Sequence, residues 1–244
     1  MKHAMAVAGV VLTIMSLNAG TWAADKQKVQ DRVDAAGTVL QEIMDAPDGG
    51  LPSNLLDSAQ CVAIVPSMLR GAFVVGAAYG KGVASCRTAA GWSAPAFFRM
   101  EGGSFGLQAG GQAVDYIMLV MNEQGLKSLL SSKFQLGADA SVAAGPLGRD
   151  AAASTDWKMR AQILTYSRAR GVFAGVSLKG NYVRQDKDDT REFYGHMVTF
   201  RSSLTGATPA PKDAAPFLEA LSKYSPQPKP AAADKTSSEP PKKN

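Results

Sequence analysis

The sequence predicts an α+β fold: a Gly-rich, largely antiparallel β-sheet or barrel-like core with an N-terminal amphipathic helix and a C-terminal helix. Three observations predict it. An apolar stripe of helical period opens the body of the chain. From Gln60 onward the text changes to short apolar runs cut by Gly. A second amphipathic segment, Asp213–Tyr224, closes the body.

In the first helix, residues 25–46, Val29, Val33, Ala36, Leu40 and Ile43 recur at spacings of four and three and so share one arc of the helical wheel. Asp31, Asp34, Thr38, Gln41 and Asp45 fall opposite, and Pro47 with Gly49-Gly50 ends the pattern. That polar face is acidic, which argues against anionic lipid as the target of this helix. Strands follow at Cys61–Val65, Ala72–Ala77, Val83–Arg87, Trp92–Met100, Ser104–Ala109 and Val114–Met121, with Gly marking turns, bulges and close backbone approach. Glu123–Ser131 reads as a short helix, Phe134–Ala144 as strand and Gly145–Gly148 as a turn. Met159–Lys179 alternates as a hairpin. Aligning its two apolar faces sets Arg160 opposite Lys179 and Tyr166 opposite Phe173, with Ala169-Arg170 as a turn of poor turn chemistry.

The two ends of the chain differ from its body. Residues 1–23 read as a secretory signal peptide: a Lys2 start, an apolar run from Ala4 to Leu17 and a small-residue exit with cleavage after Ala23. That run is shorter than the roughly 20 residues a membrane-spanning helix needs. Ser225–Asn244 is rich in Pro, Lys and Ser, holds no large apolar residue, and reads as a disordered tail. Of 26 Lys and Arg, one falls in the leader and four in the tail, leaving 21; of 21 Asp and Glu, two fall in the tail, leaving 19. The folded body, residues 24–224, is therefore close to neutral, and its charge gives no case for nucleic acid as a partner. Export places the mature protein in the periplasm, in the outer membrane's vicinity or outside the cell. In such a compartment Cys61 and Cys86 point to one disulfide.

Catalytic and cofactor patterns are sparse. After the leader there is one histidine, His196. Gly76–Gly82 fails the P-loop pattern, since its Gly spacing is one short and no Ser or Thr follows Lys81. Gly102-Gly103-Ser104-Phe105-Gly106 matches the G-x-S-x-G nucleophile elbow, and Asp115, Asp139, Asp156 and His196 lie downstream, so a serine esterase using Ser104 is one reading. Two Gly where the elbow's helix should follow, and the lack of strand–helix alternation, oppose it. The remaining constellation is basic and aromatic: Lys81, Arg87, Arg149, Arg160, Arg168, Arg170 and Lys179, with Tyr166 and Phe173 interleaved. Guanidinium and ammonium groups neutralise phosphate, and aromatic rings sit well at a lipid interface. These nine residues form the expected lipid-binding set.

Several runs then resemble the SYLF domain family. They are Leu51–Leu56, Gly71–Gly76, Tyr79-Gly80-Lys81-Gly82, Gly91–Pro95, Gly103–Gln108, Ala144–Arg149 and Tyr166–Gly175, in that order, across roughly residues 30–200. The resemblance implies a non-enzymatic lipid-binding module without a cofactor. Eukaryotic members bind phospholipids, phosphoinositides among them, and some bundle actin; they are often fused to a Src-homology-3 or FYVE domain. Bacterial members are usually exported single-domain proteins. The leader, the absence of a partner domain and the acidic helix separate this chain from the eukaryotic pattern, so actin is not an expected partner. The expectation is a phospholipid-binding protein of the cell envelope; a structural envelope protein with a polymer-touching basic tail is the other non-enzymatic reading.

Overall fold

A computed structural model describes residues 25–46, 50–72, 75–105, 110–147, 161–169 and 172–226. The leader, the tail from residue 227, and Arg149, Arg160 and Arg170 lie outside the described residues.

Helix α1 covers residues 25–44, close to the predicted span. A one-and-a-half-turn helix that hydrophobic periodicity is too short to reveal, α2 (Ser53–Ser58), follows. The sheet then builds from β1 (Cys61–Ala72), β2 (Val75–Thr88), β3 (Gly91–Trp92), β4 (Ala96–Phe105) and β5 (Gly110–Val120). The predicted pieces are thus longer than their apolar cores, because Gly-rich stretches remain in the ladder. Helix α3 (Glu123–Leu130) is capped by Asn122, whose side chain accepts from the Gly125 amide. The predicted strand 134–144 is two short strands, β6 (Lys133–Gln135) and β7 (Val142–Ala144), separated by a turn at Gly137 with φ of 88°. Next come β8 (Ile163–Ala169), β9 (Val172–Gly175), β10 (Tyr182–Gln185), α4 (Lys187–Tyr194), α5 (Phe200–Leu204), a 3-10 turn (Lys212–Ala214) and α6 (Ala215–Tyr224).

The sheet order is β6-β10-β4-β2-β1-β5-β8-β7, with β3 on β2 and β9 on β8. Among the described strands only the β7–β8 pairing is parallel. The sheet curls into a half-barrel, as the barrel-like expectation required. One face packs under α1, α2 and α6 through Val33, Leu40, Ile43, Leu56, Val83, Phe97, Leu164 and Phe217. The other face holds Val65, Met68, Phe98, Met100, Tyr116, Met118, Phe134 and Val183, with Leu129 of α3 and Phe200 of α5.

Two local features set which side chains reach solvent. In β1 the register shifts between Ile64 and Leu69 against β2, and between Val65 and Met68 against β5. Pro66 has no amide to give the ladder. Ser67 takes the left-handed conformation (φ 49°), and its amide donates to Asp115 Oδ1 at 2.8 Å. The extra residue turns Leu69 onto the same face as Ile64. In β2, a Cβ at Gly82 would lie 2.4 Å from the Ile64 carbonyl oxygen and 2.6 Å from the Phe98 ring. Gly therefore lets β2 press close on the inner layer while Lys81, one residue back, faces outward.

Cys61 and Cys86 are direct cross-strand partners and form the expected disulfide, with Cα atoms 3.9 Å apart.

Candidate functional site

Of the predicted binding residues, most of those described serve the fold. Tyr166 is wholly buried, packed against Gly145, and its ring has no access to a headgroup; burial pushes its hydroxyl well above the usual tyrosine range. Arg87 donates to the carbonyls of Ala59 (2.8 Å) and Leu56 (3.1 Å) and to Ser225 Oγ. Its guanidinium stacks over Trp92 at 4.6 Å. Burial lowers its pKa, against the opposing charge of Asp57. Ser225 itself is fully buried and donates to Asp57, so the packed body reaches one residue past the predicted boundary. Arg168 pairs with Glu42 of α1 and lies 3.6 Å from Asp115, with Phe173 half-buried beneath it. Lys179 is exposed in the turn after β9.

The predicted hairpin exists two residues out of register. Arg168 faces Phe173 and Tyr166 faces Gly175, which preserves the alternation of faces and leaves Arg170-Gly171 between the strands. Ser104 lies within β4, opposite Gly76 of β2. A nucleophile elbow requires a sharp strand-to-helix turn at the Ser, so the esterase arrangement is not formed at this position.

The solvent-facing basic surface is elsewhere. On the face shared with α1, running from the helix's N-terminal end outward, the register aligns Lys81 of β2, Arg99 of β4, Arg184 of β10 and Lys133 of β6 in one transverse row. Neighbouring strands are about 4.8 Å apart, so these cations cross four strands without an intervening acid. The adjacent row on the same face is Leu69, Tyr79, Glu101, Tyr182 and Gln135. Leu69 is 63% exposed, Tyr79 44% and Tyr182 46%. The opposite positions, Ala78, Met100, Val183 and Phe134, are buried in the inner layer. Alternation along four strands thus separates a dry face from a basic, aromatic one.

Acids meet this row at two places. At one end Lys81 Nζ lies 2.8 Å from both Asp186 Oδ2 and Asp189 Oδ1, and Arg32 of α1 also pairs with Asp189. Burial opposes the Lys81 charge, but the two carboxylates outweigh it and hold its pKa above the usual lysine value. Burial likewise opposes the Asp186 charge, but Lys81 and the amides of Asp188 and Asp189 hold it below the carboxylate range. A cleft of about 410 Å³ opens beside this cluster, lined by Asp25, Lys28, Arg32, Lys81, Asp188 and Glu192. In the middle, Arg184 Nη2 donates to both oxygens of Glu101 at 2.7 and 2.8 Å, and Arg99 Nε lies 3.4 Å away. Among the described residues, no group of three or more His, Cys, Asp and Glu is placed to hold a metal ion.

The sequence profile of the Ysc84 family, described as Las17-binding protein actin regulator, matches residues 101–224. Protein YSC84 of Saccharomyces cerevisiae is 33% identical over 178 residues, which is 71% of this chain. The chain belongs to the Ysc84, or SYLF, family. The SH3 domain-containing YSC84-like protein 1 of Homo sapiens is 30% identical over 196 residues, 78% of this chain. LAS seventeen-binding protein 3 of S. cerevisiae is 33% identical over 178 residues. The aligned part covers 38% of the yeast YSC84 protein, 57% of the human protein and 39% of LAS seventeen-binding protein 3, so the chain corresponds to a portion of each relative. The family profile begins inside β4 at Glu101 and takes in β5 to α6; Arg184 and Lys133 fall within it, Lys81 and Arg99 before it.

Arg99, Arg184 and Lys133 were not among the sequence-predicted residues. Each sits in a short, polar strand or beside large apolar residues, where a lone cation carries no local signal. Only the register of β2, β4, β10 and β6 brings them together.

Proposed function

We propose that this SYLF protein is a non-enzymatic phospholipid-binding protein of the cell envelope that takes anionic headgroups on the open face of its sheet. The row Lys81–Arg99–Arg184–Lys133 beside exposed Tyr79, Tyr182 and Leu69 carries this reading. Like charges directly opposite one another cost stability in a sheet. Asp186 and Asp189 meet Lys81 and Glu101 meets Arg184, so the repulsion that an anionic surface would relieve is what remains around Arg99 and Lys133. The rings and Leu69 supply apolar area at the level of the headgroups.

With residues 1–23 read as an export signal, the protein belongs in the periplasm or beyond, away from the actin whose regulation the family description names. Lipid binding is the part of the family's activity that export permits. The paired Cys61–Cys86 fits an oxidising compartment.

Flotation of the mature protein with vesicles tests the reading. Vesicles containing phosphatidylglycerol should carry the protein upward at low salt, and pure phosphatidylcholine vesicles should carry less. Raising ionic strength to 1 M, where the screening length falls to about 3 Å, should release most of the bound protein. No flotation with any vesicle at low salt would refute it.

A further inference from the structure

Resting on that reading, we infer that Glu101 is a built-in competitor for the anion: its carboxylate occupies the place a headgroup phosphate takes, and it sets the affinity of the face. Glu101 is the one acid among the outward positions of the two rows across β2, β4, β10 and β6. It stands between Tyr79 and Tyr182 as their direct cross-strand neighbour. Its two oxygens accept from a single nitrogen of Arg184, and its contact with Arg99 is a 3.4 Å approach without hydrogen-bond geometry.

One carboxylate leaves the two guanidinium groups short of acceptors. Arg99 Nε and Arg184 Nε are both buried atoms with no hydrogen-bond partner. A guanidinium presents five N–H donors in a planar fork suited to phosphate. A tetrahedral phosphate offers more oxygens than a carboxylate, spread in three dimensions, and can engage both forks together. Glu101 meanwhile holds the forks side by side against their mutual repulsion, so the face is ordered before a ligand arrives. The ligand chemistry is a phosphate group, and the surface commits it to a phospholipid: exposed Leu69, Tyr79 and Tyr182 border the forks where a lipid would bring its interface.

The test is flotation of the mature protein and of Glu101→Gln. Vesicles contain phosphatidylglycerol or phosphatidylcholine alone. Gln keeps the size and the hydrogen-bonding oxygen while removing the charge. Removing one negative charge next to the headgroups should raise binding to anionic vesicles about fivefold at low salt, with no gain on phosphatidylcholine. Glu123→Gln on α3, at the opposite face, makes the same change in net charge and should give no gain. Adding Arg184→Gln to Glu101→Gln should return binding to the starting level. Circular dichroism and urea unfolding check that each variant is folded.

Unchanged or weaker binding by Glu101→Gln, with the parent protein bound, overturns the inference and leaves the lipid reading standing. An equal gain from Glu123→Gln overturns it too, since net charge then suffices. Titration with inorganic phosphate distinguishes the source: a gain for free phosphate without a gain on vesicles contradicts a membrane ligand. Binding by neither protein removes both the inference and the reading it rests on.

Discussion

Lys81 owes its position to its two neighbours. Gly80 and Gly82 face the inner layer, where added Cβ atoms would fall 2.6 Å from Val65 and 2.4 Å from Ile64. Gly82→Ala should therefore cost roughly 1–3 kcal/mol by overpacking, read as a lower urea midpoint at unchanged slope. A stability equal to the parent's would mean that β2 has room to move. Sequence reading identified Lys81 as basic and these glycines as marks of close approach, and both hold. The same reading could not sort the other cations. Arg87 beside Trp92, and Arg168 with Tyr166 and Phe173, present the same basic–aromatic text as a headgroup surface. What separates them is long-range: Arg87 meets Leu56, Ala59 and Ser225, and Arg168 meets Glu42. None of those partners is local in sequence.

At the scale of elements, the junction of β10 and α4 escaped periodicity altogether. Tyr182-Val183-Arg184-Gln185 has one buried apolar residue, and Lys187–Tyr194 is mostly charged. Their signals were capping signals: Asp186 accepts from the amides of Asp188 and Asp189, and Gly195 closes the helix at φ 73°. Asp186 also links this helix to β2 through Lys81. Its pKa is held below the usual carboxylate range, so its contribution is present above the unfolded pKa of about 3.9 and is lost as pH falls through the folded value. Asp186→Asn keeps a good cap but removes the charge. It should lower stability at neutral pH and flatten the acid limb of a urea-midpoint profile from pH 7 to 2. Lys81 works in the other direction: its raised pKa supports the fold below the unfolded lysine value and is lost as pH climbs through the folded one. An acid limb as steep in the variant as in the parent would show that Asp186 is not the linked group. The β8–β9 hairpin was legible in its alternation but not in its register, because a two-residue slip keeps every side chain on its face. β7 occupies Ile163–Thr165 of β8, which leaves Tyr166–Ala169 for β9.

The whole molecule depends on one sheet with two unlike faces. Its α+β class, its Gly-rich strands and both terminal helices were legible, because burial on the helix-covered face imposes simple periods. The uncovered part of that same face was not, since a cation row spread over four strands leaves no mark along any of them. Across the sheet, the Cys61–Cys86 bond joins β1 to β2 within the inner layer. Reducing it should cost roughly 2–4 kcal/mol by freeing the unfolded chain, seen as a lower midpoint under dithiothreitol; no change would mean that the ladder alone holds the two strands. The central claim, that headgroups dock on the Arg99–Arg184 face, is met most directly by paired charge reversals. Flotation with phosphatidylglycerol vesicles at low salt would compare Arg99→Glu/Arg184→Glu with Lys127→Glu/Arg201→Glu, which changes exposed cations of α3 and α5 by the same net charge. Loss of binding in the first pair and retention in the second is the predicted result; equal binding by both pairs would contradict it.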